Sequence, residues 1–168
     1  KGKAIRDAGY IPEADRSIRA GETTIYDYMR REALPYEEIV GAAELASTGN
    51  PENLDRLIEM LKNDDRAIRY WAAQGLLQLG DNAAAALPQV GLAAFDESWN
   101  VSVLCAEILY RAGMKARAIK AFSRVLACDK MMARTFALNS IDHMDGSKEE
   151  FVDGCSTVLA NYEKPGYE

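Results

Sequence analysis

Apolar and polar positions alternate with a helical period through the middle of the chain. In the stretch NDDRAIRYWAAQGLLQLGD, residues 63–81, apolar or small residues recur three and four positions apart. This stripe consists of Ile68, Ala72, Gly75, Leu76 and Leu79. Gly80 follows it, at the position where many helices end on a glycine. The pattern therefore predicts one amphipathic helix.

A second amphipathic helix precedes it, in the stretch NPENLDRLIEMLKND. Asn50 is a good N-cap residue, and Pro51 suits the first position of a helix. The apolar stripe of this helix consists of Leu54, Leu57, Ile58 and Leu61. The polar residues 63–65 separate the two stripes, so the sequence predicts a helix pair joined by a short turn.

The helix pair recurs along the chain. Gly80, Gly113 and Gly146 are each 33 residues apart. The run IRYWAAQGLLQLG aligns with VSVLCAEILYRAG without a gap, and ARTFALNSIDHMDG aligns when one residue is inserted. Two-helix repeats of this length are typical of α-solenoids, in which stacking buries apolar faces that one pair leaves exposed.

The segments on either side of the repeats predict further helices. Residues before Gly21 read as loop, a short helix follows through Arg31, and Pro35 opens another. The buried face of that helix is predicted to be Ile39, Ala42, Ala43 and Ala46. The many large apolar groups before it either cap the first repeat or face a missing domain. Ser147 with Glu150 predicts a capping box at the start of a C-terminal helix.

These patterns predict an all-α fold, a short right-handed α-α superhelix of about eight to nine helices. Residues 1–49 would form a loop and two helices that cap the array. Residues 50–146 would form three helix pairs, and residues 147–168 a capping helix and tail. We expect all three segments to make one compact domain.

The second helices resemble those of HEAT-type repeats, on the run DDRAIRYWAAQGLLQLG. The family has an Asp before this helix and an Arg after its aliphatic start, and the pair ties neighbouring repeats together. The resemblance therefore implies structural roles for Asp64 or Asp65 with Arg69, and for Asp129 with Arg134.

The second copy of the repeat departs from this family pattern. It keeps Asp96 but has Ser102 where the Arg is expected, which leaves the Asp–Arg ladder there in doubt. The resemblance covers roughly residues 50–146. Because HEAT arrays serve many unrelated functions, it implies a fold and does not imply one function.

The N-terminal segment resembles the C-terminal extension of some bacterial formylglycine-dependent, arylsulfatase-like sulfatases. The resemblance rests on RDAGYIPE, on TIYDYMR and on the Pro-Tyr-Glu-Glu helix that leads into the repeats. It implies a parent enzyme that hydrolyses sulfate esters of sulfated glycans, and a periplasmic or extracellular location. The family's catalytic element, Cys or Ser followed two residues later by Pro and then by Arg, has no match, so no catalytic residue carries over.

Composition narrows the classes of partner. The chain of 168 residues has a net charge of −6 and a pI of about 5.0, whereas a nucleic-acid binder normally carries a basic face. No apolar run is long enough to cross a bilayer. We therefore expect no nucleic-acid or membrane partner. The chain begins without Met, and we interpret it as a piece of a longer protein.

No catalytic, cofactor-binding or metal-binding residue is predicted, and no cofactor is expected. Three widely spaced cysteines, at positions 105, 128 and 155, are interpreted as packing residues. His143 stands alone at a helix end, whereas a metal site needs several converging ligands. Carboxylates at helical spacing are interpreted as a solvated face: Glu37, Glu38, Glu52, Asp55 and Glu59.

Four aromatic residues on the second helices are candidate contacts, because solenoids bind partners on the concave face that these helices line. They are Tyr70, Trp71, Trp99 and Tyr110. The alternative is packing inside the array. Packing is favoured for Trp71, whereas both interpretations stay open for Tyr70 and Trp99.

The sequence favours a non-catalytic accessory or interaction domain, the C-terminal part of a bacterial sulfatase. The fragment itself is not expected to be an enzyme, although its parent could be a sulfuric ester hydrolase. The alternatives are a free-standing protein–protein interaction solenoid, a carbohydrate-binding module and, less favoured because of the acidic pI, a HEAT-like DNA glycosylase. The expected partner is a missing N-terminal catalytic domain or another protein, with a glycan as a further candidate.

Overall fold

The computed structural model describes residues 35–144, 148–152 and 156 of the chain. Every regular element in these residues is a helix, and none is a strand. The α-helices are α1 (Tyr36–Ser47), α2 (Leu54–Met60), α3 (Arg66–Leu79), α4 (Leu87–Ala93), α5 (Trp99–Arg111), α6 (Lys115–Leu126) and α7 (Met131–His143). Three 3-10 helices span Pro51–Asn53, Gly80–Ala86 and Lys148–Phe151. The predicted all-α class is confirmed.

The helix count is lower than predicted. The described residues hold seven α-helices, not the eight to nine expected of the chain. The predicted helix through Arg31 lies outside these residues. Near the C-terminus, residues Lys148–Phe151 form a 3-10 helix, where the sequence predicts the start of an α-helix.

The chain divides into two compact units, Lys1–Ala86 and Leu87–Glu168. The sequence predicts one compact domain of three segments and contains no sign of this division, which falls between α3 and α4. The three segments and the superhelix stay predictions. The two units are described separately below.

In the first unit, α1 and α2 both pack against α3. The buried face of α1 is confirmed as Ile39, Ala42, Ala43 and Ala46. Gly75 allows the close approach, since a Cβ atom there would lie 2.7 Å from Leu57 Cδ2 and 3.1 Å from Ala46 Cα. The first distance is shorter than real Cβ contacts and the second is tight, so a larger residue at position 75 would force Leu57 or the backbone of α1 to shift.

The two ends of α3 follow from its sequence. The Asp65 carboxylate accepts hydrogen bonds from the backbone N–H of Ala67 at 2.8 Å and of Ile68 at 3.3 Å, which satisfies donors that a helix leaves open. Gly80 ends the helix with a φ of +55°, a conformation that favours glycine. Gly113 after α5 has a φ of +81°, so both glycines act as the predicted helix stops.

In the second unit, α5 forms the centre. All positions from Val101 to Tyr110 are buried because α4, α6 and α7 pack around this helix. Phe151 of the last 3-10 helix is also buried, and its ring lies 5.5 Å from the rings of both Tyr110 and Phe122. This short C-terminal helix therefore covers one side of the second unit.

Glu150, the residue that the sequence predicts in a capping box, makes two long-range contacts. Its carboxylate accepts hydrogen bonds from Lys115 Nζ at 2.8 Å and from the Tyr110 hydroxyl at 3.1 Å. The predicted partner, Ser147, lies outside the described residues. The long-range contacts of Glu150 hold the 3-10 helix on α5 and α6.

Candidate interaction surface

The predicted aromatic contacts of the first unit lie side by side on α3. The rings of Tyr70 and Trp71 meet edge to face, with centroids 5.4 Å apart, and both residues are half-buried. Trp71 also packs against the buried cluster of Ile39, Ala42, Ala67 and Ile68. Its ring therefore contributes to the core of this unit, and Tyr70 covers its edge.

A pocket of about 240 Å³ opens beside Trp71. It is lined by Ala46, Ser47, Trp71, Gln74, Leu77 and Gln78. The indole N–H of Trp71 is buried and has no hydrogen-bond partner among the described residues. The amide and hydroxyl groups of this lining could contact a polar ligand, and none of the lining residues carries a charge.

The predicted aromatic contacts of the second unit are less accessible. The guanidinium carbon of Arg124 lies 4.5 Å from the centroid of Trp99, so a cation covers one face of that ring. Tyr110 is only 7% exposed and packs on Phe151. Tyr110 is therefore a core residue rather than an exposed contact.

The predicted Asp–Arg pair of the first repeat stabilises the turn before α3. Arg69 is buried, and its Nη1 donates to the backbone carbonyls of Asn63 at 2.9 Å and Asp64 at 2.8 Å. Asp65 caps the same helix, as described above. These contacts lie within one helix pair, and a ladder between neighbouring pairs stays a prediction.

In the second repeat, a different arginine serves the equivalent turn. Ser102 replaces the expected Arg, and its hydroxyl donates to the carbonyl of Ala94 at 2.7 Å. Arg124, from the next helix pair, donates from Nη1 and Nη2 to the carbonyl of Asp96, both at 3.0 Å. Asp96 is 33 residues after Asn63, so equivalent carbonyls receive a guanidinium in both units.

The third repeat also has a buried arginine. Arg134 is 2% exposed on α7, and its backbone N–H bonds to the carbonyl of Lys130. Asp129 accepts a hydrogen bond from Lys130 Nζ at 3.0 Å, which together with the charge of that lysine lowers the pKa of the carboxyl. Burial agrees with the structural role that the resemblance implies for Arg134.

A row of basic side chains on α6 is absent from the sequence prediction. Arg117, Lys120 and Arg124 are three and then four residues apart, so they share one face of the helix. The opposite face is buried through Ala118, Ala121, Phe122 and Val125. The sequence does contain the signal, because residues 115–126 hold four basic residues and no acidic one in a chain of net negative charge. We call these three residues the basic row.

A fourth basic residue of α6, Lys115, is engaged elsewhere. It forms an ion pair with Glu150 at 2.8 Å. The Lys115 ammonium, followed by the Tyr110 hydroxyl, holds the pKa of the Glu150 carboxyl below its ordinary value. The same hydrogen bond raises the pKa of Lys115. This ion pair holds the 3-10 helix in place. Among the described residues, the three members of the basic row are the basic side chains of α6 that form no ion pair.

The described cysteines and the histidine lie in different environments. Burial, followed by the charge of Asp96, raises the pKa of the Cys105 thiol far above its usual range. Burial also raises the pKa of Cys128, whereas Cys155 lies outside the described residues. His143 is the exposed last residue of α7. Over residues 35–144 and the described positions after them, no group of three His, Cys, Asp or Glu residues could hold a metal ion.

Comparison with known families agrees with the repeat pattern. Residues 24–90 match the family model of HEAT repeats. The chain carries a HEAT-like repeat domain. The match gives no support to the sulfatase resemblance of the N-terminal segment. No curated protein matches the chain.

One further finding concerns membranes. Among the described residues of the HEAT-like repeat domain, no helix is long and apolar enough to cross a bilayer.

Proposed function

We propose that this HEAT-like repeat domain is a non-catalytic module that binds another protein. The observation that carries the proposal is the match of residues 24–90 to HEAT repeats, together with the helical architecture of the described residues. Arrays of this type present long rows of exposed helix faces, on which binding surfaces are built. This domain exposes both apolar side chains, such as Leu92 and Met131, and the basic row.

A site-specific photo-crosslinker tests the proposal. The crosslinking residue is placed at Leu92 or Met131, which are 66% and 57% exposed, and a sample without irradiation serves as the control. In cells that express the gene natively, we expect a discrete adduct from at least one exposed position and none from the control. The adduct's partner is then purified, and its affinity for the domain is measured by calorimetry.

The result that would overturn this function is equally specific. If neither exposed position forms an adduct above the control, or if the purified partner does not bind the domain, then the domain is not a protein-binding module. A partner that binds with one-to-one stoichiometry supports the proposal.

A finer proposal is that the module belongs to a sulfatase of sulfated glycans and packs on its catalytic domain. Its support is the resemblance of RDAGYIPE and TIYDYMR, in the N-terminal third of the sequence. The test begins with the gene: an upstream frame that encodes Cys or Ser, then Pro two residues later and then Arg, is expected. Sulfatase activity of the full product, measured with and without residues 1–168, then shows whether the module supports the enzyme.

The experiment distinguishes the sulfatase proposal from the proposal of a protein-binding module. An upstream frame that lacks the catalytic element ends the sulfatase proposal and leaves the protein-binding module intact. Activity that survives deletion of the module unchanged would leave the parentage intact and remove the supporting role.

A further inference from the structure

Acidic and basic residues are distributed unevenly along residues 35–144. Residues 35–86 hold nine acidic and four basic residues, whereas residues 87–144 hold five acidic and seven basic ones. Helix α6 concentrates this difference, because it has four basic side chains and no acidic one. The overall charge of −6 therefore conceals a basic face in the second unit.

The two arginines of the basic row are held in place by neutral groups. Arg117 donates from Nε and Nη2 to the carbonyl of Gly91, at 3.0 and 2.7 Å, and its guanidinium lies over the Phe95 ring. Arg124 grips the carbonyl of Asp96 and lies over Trp99. Each guanidinium is thus oriented before any partner arrives, which lowers the entropy cost of binding.

The row also keeps its charge. Within the part of the chain that the structure describes, none of its three members forms an ion pair. Arg117 uses only two of its five N–H donors on Gly91. Lys120 is exposed, and its ammonium lies 6.0 Å from the Phe95 ring centroid. The row therefore presents free donors to solvent.

The spacing of the row fits a helix. Its members stand at i, i+3 and i+7 and extend over roughly 10 Å of helix axis. A partner helix with carboxylates at the same spacing would place one acidic group opposite each basic group. Guanidinium and carboxylate groups bind one another in a planar, two-bond geometry, so the two arginines add orientation as well as charge.

We propose that Arg117, Lys120 and Arg124 form a docking surface for the acidic face of a helix in a partner protein. This rests on the proposed protein-binding function and names the chemistry of the partner. Three charges are few for a nucleic acid, whose binders commonly neutralise about 6–10 phosphates. The rings of Phe95 and Trp99 each have a cation over one face, which makes them poor platforms for stacked bases or sugars.

Two helical peptides of identical composition test the surface. In the first, three glutamates stand at i, i+3 and i+7 on one face, and in the second they are distributed around the helix. Fluorescence anisotropy measures binding of each labelled peptide to the full chain. We expect the one-faced peptide to bind about tenfold more tightly, and its binding to weaken as salt screens the charges.

Lys120→Gln is the central variant, because Lys120 makes no hydrogen bond that holds the fold. It should weaken binding of the one-faced peptide about threefold to tenfold. Arg124→Lys should also weaken binding, because an ammonium cannot reproduce the planar two-bond geometry of a guanidinium. Lys130→Gln is the matched control, an exposed lysine of the same unit that lies off the row, and should leave the affinity unchanged.

Equal binding of the two peptides, or an affinity that Lys120→Gln leaves unchanged, would overturn the docking surface. An equally charged DNA oligonucleotide that binds as tightly as the one-faced peptide would also overturn it. Self-association in sedimentation that Lys120→Gln abolishes would assign the row to a second copy and contradict the proposal, because Glu52, Asp55 and Glu59 have the same spacing.

The outcomes distinguish this inference from the proposed function. A crosslinked partner that still binds Lys120→Gln with full affinity leaves the protein-binding function in place and removes the docking surface. Absence of any partner removes the function, and the peptide titration still decides whether the row selects an acidic helix.

Discussion

The turns that precede α3 and α5 occupy equivalent places in the two units, yet they are stabilised by different arginines. Arg69 belongs to the helix that follows its turn and binds the carbonyl of Asn63. In the second unit, Arg124 reaches the carbonyl of Asp96 from a helix 28 residues away in sequence. The backbone group that needs a donor is the same in both repeats, and the side chain that supplies it is not.

This difference shows what the repeat preserves. A turn between two packed helices leaves carbonyl groups with few backbone partners, and an unsatisfied buried carbonyl is costly. A cationic donor from another helix can satisfy it, and in the second repeat Arg124 does so where Ser102 replaces the expected Arg. The second turn therefore receives its donor from α6 and not from the helix that follows the turn.

Truncation of the equivalent core leucines should have the largest effect and should not distinguish the two units. Leu76 and Leu109 are 33 residues apart, and both are fully buried. Each Leu→Ala change should lower the free energy of unfolding by ~2–5 kcal/mol. Urea denaturation followed by tryptophan fluorescence checks this, since Trp71 reports on the first unit and Trp99 on the second. A loss below roughly half a kcal/mol would contradict this packing of the leucines.

Gly75→Ala should destabilise the first unit through a contact that the second unit lacks, because the equivalent residue of the second unit is Ile108. The added methyl group would press on the Leu57 side chain and the Ala46 backbone, so we expect a loss of ~1–3 kcal/mol. The same denaturation measurement detects it. Gly41→Ala is the matched control, since a Cβ atom there would meet no heavy atom within 4 Å, and it should not destabilise the unit.

Removal of the two turn arginines tests the comparison directly. Arg69→Met and Arg124→Met each withdraw a guanidinium from a turn carbonyl, and each should cost ~1–2 kcal/mol in its own unit. Hydrogen exchange of the backbone amides in the two turns would localise the effect. If Arg124→Met does not raise exchange around Asp96, the second turn depends on other contacts and the equivalence of the two arginines is wrong.

The smallest effect is expected at the N-caps. Asp65→Ala removes two hydrogen bonds to the first turn of α3 and should cost ~1 kcal/mol. Its counterpart Ser98 makes no side-chain cap bond to α5 but has other contacts, so Ser98→Ala should leave the cap of α5 unchanged. Thermal unfolding of both variants, followed by the tryptophan of each unit, compares them. Equal losses would show that the caps do not differ in strength.

Local sequence patterns predict most of the helical architecture. The apolar stripes, the glycine stops and the N-cap at Asn50 each depend on neighbours within a few positions, and the structure confirms the helices that they predict. The burial of Ile39 and its partners on α1 follows from the same period. Such features can be predicted from the sequence because the backbone hydrogen bonds of a helix join residues that are close in sequence.

The candidate surface could be predicted only in part, because its contacts join distant positions. The local helical pattern leaves the ring of Tyr110 available as an exposed contact. In the structure the ring packs on Phe151, which is 41 residues later in the sequence. The grip of Arg124 on Asp96 likewise depends on how α6 packs. By contrast, the charge of α6 could have been counted from the sequence. Its importance emerges once the structure shows that, among the described residues, no carboxylate pairs with Arg117, Lys120 or Arg124.

Phe151 also determines where a stable fragment of this protein can end. Its ring fills the space between Tyr110 and Phe122, and the two contacts of Glu150 hold it there. A fragment that stops before residue 148 would leave two aromatic rings facing water and a cavity beside α6. Such a fragment should aggregate on expression, whereas a boundary placed after Phe151 retains the anchor that closes the second unit.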